Sequence, residues 1–125
     1  LNWQKWRSAI ISILKTHTLV VLSVHDNIAK EIIKIKEEIW LLTRIIDCST
    51  AYRIQANWIY GLPEIQQQAE SIISAQQVAN PWCHASASIL SIMPLMKHTL
   101  IENTWAIITS ITGYSWGGKD MIASY

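Results

Sequence analysis

The first sixty residues contain neither glycine nor proline, and inside them apolar side chains recur at alternating spacings of three and four. The series runs Ile11, Leu14, Thr18, Val21, His25, Ile28, Ile32, Ile35, Ile39, Leu42 and Ile46. These are the a and d positions of a heptad repeat, the pattern of a helix that buries a seam against other helices. With no breaker before Gly61, the pattern predicts one helix over residues 3–59, roughly 85 Å long at 1.5 Å per residue. Gly61, Leu62 and Pro63 then read as a reversal, because glycine caps a helix end and proline opens the next element.

Beyond the reversal, Glu64 in a first turn and the stripe Ile65, Ala69, Ile72 predict a second helix over 63–79, closed by Asn80 and Pro81. Residues 82–98 show no clear period and read as extended or irregular. Thr99 and Glu102 make a capping-box pattern, so 100–112 is expected to be a third helix. Gly113, Gly117 and Gly118 close it, leaving 113–125 as a tail. The expected fold is all-α: a single helical domain, 1–125, in which a coiled-coil helix folds back into a bundle of shorter packed helices.

Isoleucine at both a and d favours three strands over two, so a homotrimer is the expected assembly. A compact monomeric bundle, in which the first helix breaks near Ser49 to Tyr52, uses the same stripes. Ile10, Ile13, Val20, Val24, Ile33, Trp40, Leu41 and Ile45 form a second apolar surface outside the seam that some other segment must cover. Thr18 and His25 are the two polar layers of the seam itself, able to set register. Trp40, Trp58 and Trp105 are expected to pack between layers. Trp3 and Trp6, beside Lys5 and Arg7, suit either a membrane surface or an aromatic cap on the coil.

The chain is half hydrophobic and 15% charged, with a formal net charge of +1, which excludes disorder and leaves no basic patch for nucleic acid. Its start at Leu1, without a signal pattern, suggests a processed product or an excised fragment. In an antiparallel hairpin Cys48 and Cys83 fall at similar height, so a disulfide is expected, worth on the order of 3–4 kcal/mol for a loop of about 35 residues. Two buried free thiols are the alternative. A bridge would place the protein outside the cell or on a virion surface. Cys83 with His98 could be paired as nucleophile and base, yet no orienting third group or oxyanion motif accompanies them. Glycine-rich phosphate loops, HExxH and GxSxG are also missing. The expectation is therefore a non-enzymatic self-assembly module with no catalytic, cofactor-binding or metal-binding residues.

In architecture, a long coil with a reversal and an outer return segment over about residues 10–110 resembles the post-fusion core of class I viral membrane-fusion subunits. That resemblance implies that collapse of the outer segment onto the coil drives membrane fusion. A viral or phage filament or capsid subunit, and an adaptor gripping a partner helix, are the alternatives.

Overall fold

A computed structural model describes residues 2–102, 105–113 and 122–124. It has an α/β fold in place of the expected all-α bundle, and the chain divides into two compact units, residues 1–82 and 83–125.

The predicted 57-residue helix is four elements. Helix α1 (Trp3–Thr16) starts at Asn2, whose side-chain oxygen accepts from the Lys5 amide at 3.3 Å. It stops at His17, where the backbone turns extended ahead of strand β1 (Leu19–Leu22). The run Leu19-Val20-Val21-Leu22 is apolar on both sides, as suits a strand of a parallel sheet, and its β-branched pair favours that state over helix. Helix α2 (Asp26–Glu38) follows, and strand β2 (Arg44–Asp47) lies parallel to β1 with Leu19 opposite Arg44. Both polar layers of the heptad series are thus chain junctions: Thr18 lies in the turn into β1, and His25 is the N-cap of α2.

Strand β3 (Ile59–Tyr60), helix α3 (Gln68–Ser74) and strand β4 (Gln77–Ala79) complete the first unit, with all strand pairings parallel in the order β1-β2-β4-β3. Gly61 is not a helix cap. A Cβ there would sit 2.9 Å from Val78 Cγ1 and 3.1 Å from the Ala79 carbonyl oxygen, so only glycine lets β3 leave this close to β4. The second predicted helix shrinks to the seven residues of α3. Gln76 and the β-branched Val78 carry the chain into β4, which pairs with β2 on one side and β3 on the other.

The core of this unit joins Leu14 of α1, Leu22 of β1, Ala29, Ile32, Ile33 and Ile35 of α2, Ile45 of β2, and Trp58 and Ala79. Ile35 is wholly buried and Ile45 nearly so; each stabilises by about 2–3 kcal/mol through burial. The Thr43 hydroxyl donates to the Leu14 carbonyl, tying the end of α1 to the start of β2. Arg44 donates to the carbonyls of Ile72, Ile73 and Ala75 at 2.8–3.0 Å, satisfying the open C-terminal end of α3. Arg7 pairs with Glu38 at 2.7 Å, linking α1 to α2.

Only alternate parts of the expected seam are buried. Leu14, Ile32 and Ile35 are core, Ile11, Ile39 and Ile46 are half-buried, and Thr18, Val21, His25, Ile28 and Leu42 are exposed. Trp58 packs as expected in kind, stacked on Tyr52 with ring centroids 4.1 Å apart. Trp40 and Trp105 do not pack: they are 90% and 98% exposed. Trp3 and Trp6 stack on each other at 4.9 Å, and Trp6 lies against the core.

In the second unit, helix α4 (Cys83–Lys97) occupies the stretch read as extended. Ser88 and Ser91 donate back to the carbonyls of His84 and Ala87 at 2.8 Å, so these hydroxyls find partners within the helix. The third helix expected over 100–112 is absent among the described residues. Thr99, its expected cap, has a left-handed backbone (φ 54°), and the β-branched residues of 105–113 form no regular element. Gly117 and Gly118 lie outside the described residues.

Candidate functional site

Every strand of the sheet points its carboxyl end the same way, and open parallel sheets bind their ligands outside those ends. Here β1 opens into Ser23, Val24 and His25, β2 into Cys48, Ser49, Thr50 and Arg53, and β4 into Asn80, Pro81 and Trp82. Ser23, Val24, His25 and Cys48 line an open pocket of about 270 Å³.

A clamp built from Asp26 holds the loop after β2. Its carboxylate accepts from the Thr50 amide at 3.0 Å and from the Thr50 hydroxyl. These bonds, led by the hydroxyl, keep the Asp26 carboxyl below its ordinary value, with Lys30 and Arg53 adding weaker attraction. Asp47, at the end of β2, is fully buried and accepts from the Ser49 hydroxyl at 2.6 Å. Burial raises the neighbouring Tyr52 phenol, and the Glu37 and Asp47 carboxylates push it the same way. Burial also lowers Lys36 in α2.

Arg53 then joins two strand exits. Its Nε donates to the Asn80 carbonyl at 3.0 Å, its Nη2 donates to the Cys48 carbonyl at 3.0 Å, and its guanidinium lies 5.4 Å from the centre of the Trp82 ring. The backbone ladder ends at the Asn80 amide, which bonds the Asp47 carbonyl at 2.7 Å.

Cys48 and Cys83, expected as a disulfide pair, are both free thiols; Cys48 is half-buried and Cys83 exposed. Cys83 is the first residue of α4, where helix N–H groups have no intrahelical partner. His98 follows the far end of the same helix, about 22 Å away by the helical rise, so it cannot serve as base to this thiol. Among the described residues no three metal-ligating side chains come together, and no helix is long and apolar enough to cross a membrane. Sequence reasoning missed Asp26, Thr50, Arg53 and Asn80. Their common signal is position just outside a strand or at a helix start, invisible while the strands were read as helix.

Comparison with known proteins overturns the non-enzymatic reading. Residues 83–125 match the family of the semialdehyde dehydrogenase dimerisation domain. The chain is 37% identical over 114 residues to an N-acetyl-gamma-glutamyl-phosphate reductase of Chelativorans sp. (strain BNC1), covering 90% of this chain and 36% of that protein. It is 33% identical over 115 residues to the enzyme of the same name from Trichormus variabilis, covering 90% and 35%. With the Mesorhizobium japonicum enzyme of that name it shares 34% identity over 124 residues, covering 98% and 40%. No solved structure matches. The fusion-core, filament, capsid and adaptor readings fall with these findings, since the relatives are named as oxidoreductases. Self-association survives in its general form, but the matched family is described by dimers and not by a three-fold coil. The chain spans 35–40% of the length of these relatives, and it is to that part of a reductase that it is similar over nearly all of its own length.

Proposed function

We propose that this chain forms part of an acyl-phosphate reductase, in which Cys83 accepts the acyl group, and that residues 83–125 mediate pairing of two copies. The observation that carries the reading is the place of Cys83: an exposed thiol at the head of α4, directly after the carboxyl end of β4 and at the first residue of the matched region. Thiolate is the strongest nucleophile among ordinary side chains, and an acyl phosphate offers it an activated carbonyl carbon. The sulfur forms a C–S bond to that carbon, the C–O bond to phosphate breaks, and inorganic phosphate leaves with the bonding pair. The product is a thioester, with the thiol proton released to solvent. The head of a helix, where backbone N–H groups point away from the helix, suits the negative charge that develops on the carbonyl oxygen.

A reductase also needs a hydride donor, which supplies the two electrons that take a thioester to an aldehyde. The residues present do not fit a dinucleotide. Among the described residues no glycine-rich turn joins a strand to a helix: the connections β1–α2 and β4–α4 contain no glycine, and Gly61 stands alone after β3. No step is therefore assigned to such a group in this chain.

Incubation of the protein with acetyl phosphate, a short analogue, tests the reading. The expected result is release of phosphate with an acetyl group on Cys83, found by peptide mass spectrometry and lost in Cys83→Ser. Unmodified Cys83 at millimolar acetyl phosphate would sink it. Sedimentation gives the second half: twice the chain mass is expected, and three times it would restore the trimer.

A further inference from the structure

We infer that Arg53 is a positioning residue for Cys83: its guanidinium extends the sheet one rung past the end of the backbone ladder and holds the segment that delivers the thiol. This rests on the reading of Cys83 as acyl acceptor. The ladder between β2 and β4 stops at the Asn80 amide, and the Asn80 carbonyl, which would carry the next rung toward β2, accepts from Arg53 instead. The carbonyls of Cys48 and Asn80, the first beyond β2 and β4, are left for a side-chain donor. Arg53 meets both at 3.0 Å from two nitrogens of one rigid plane. The same plane lies over Trp82, on the other side of Pro81, at 5.4 Å. One side chain therefore holds the residues on either side of the proline, and Cys83 is the next residue along the chain. Loop 48–53 is anchored in turn through Thr50 to Asp26 at the start of α2, so Arg53 acts from a fixed base.

Lysine preserves the charge of Arg53 but lacks a fork that reaches two carbonyls while covering a ring. Arg53→Lys is therefore the informative change, read by amide hydrogen exchange and by acylation with acetyl phosphate. We expect at least tenfold faster exchange at Asn80, Trp82 and Cys83 with β1 and β2 amides unaltered. We also expect at least tenfold lower kcat for Cys83 acylation with KM within twofold. A purely structural role would loosen the β1–β2 amides as well, and that result overturns the inference. Unchanged exchange at residues 80–83 overturns it, as does a parental kcat. A raised KM at unchanged kcat overturns it too, by making Arg53 a phosphate contact. Should the parent chain show no acylation, the proposed function fails by itself, and the exchange pattern together with the iodoacetamide rate at Cys83 still decides the role of Arg53. If Arg53→Lys does not fold, Trp82→Leu removes the ring contact; faster exchange at residue 83 is then expected, and none would overturn the inference.

Discussion

The two units of this chain solve the problem of apolar surface in opposite ways. In residues 1–82, helices α1 and α2 bury Leu14, Ile32, Ile33, Ile35 and Ile45 together with the sheet. In residues 83–125 no described side chain is fully buried, and Trp105, Ile107 and Ile111 are each at least 95% exposed. A parallel sheet closes its own backbone hydrogen bonds and provides a face for helices, whereas the described residues of the second unit, α4 and an irregular β-branched segment, include no second layer of regular structure. Apolar residues of the same type are therefore core in the first unit and exposed among the described residues of the second.

Substitutions sharpen the contrast. Ile35→Ala should lower unfolding stability by about 2–5 kcal/mol in urea titration, because a buried methyl-rich side chain leaves a cavity. Ile107→Ala should change it by less than about 0.5 kcal/mol, while weakening self-association in dilution sedimentation. Equal losses from both would erase the distinction between the units.

A smaller effect is expected at the Asp26 clamp. Asp26→Asn keeps the shape but loses a charge-assisted acceptor, at a cost of about 1 kcal/mol at neutral pH. The folded carboxyl titrates below the 3.8 of a free aspartate, so its contribution is complete above that pH and fades as pH falls through the lower folded value. The gap between parent and variant in thermal melts should close below pH 3.8. A gap that is constant with pH would mean that the clamp does not act through the carboxylate.

The smallest effect has the opposite sign. Trp40 occupies the left-handed position of a Schellman cap on α2, with φ 53°, its amide bonded to the Glu37 carbonyl at 3.1 Å and the Leu41 amide to the Lys36 carbonyl at 3.2 Å. Glycine suits that position and the indole is 90% exposed, so Trp40→Gly should stabilise by about 1 kcal/mol in the same titration. A loss would show that this exposed apolar side chain, unlike those of the second unit, supports its own fold.

Several local features were readable from sequence, and their meaning was not. The stripe Ile28, Ile32, Ile35 does lie on a helix, with Asp26 in its first turn, because thirteen residues of α2 follow helical spacing. The extension of that stripe through Val21 and Ile46 fails because an apolar run such as Leu19-Val20-Val21-Leu22 satisfies a heptad in any register. The run is apolar even at Leu19 and Val21, which the structure leaves exposed, so it carries no alternation to distinguish strand from helix. Thr18 and His25 were visible as interruptions, and they are the element boundaries. At the candidate site, Cys83 stood out as one of two cysteines, but Arg53 looked like any charged residue until its donors met the Cys48 and Asn80 carbonyls.

By itself the sequence determined that residues 1–60 contain no glycine or proline to break them, that a large apolar surface must be buried, and that Gly61 and Pro63 interrupt the chain. Only the tertiary structure decided between a long coil and a parallel sheet. Spacing records which side chains are apolar, whereas the choice between helix and strand rests on partners far along the chain: Leu19 with Arg44, Ile45 with Gln77, Ile59 with Val78. Those pairings bring three strand exits together, and with them the loop residues from which a site can be built.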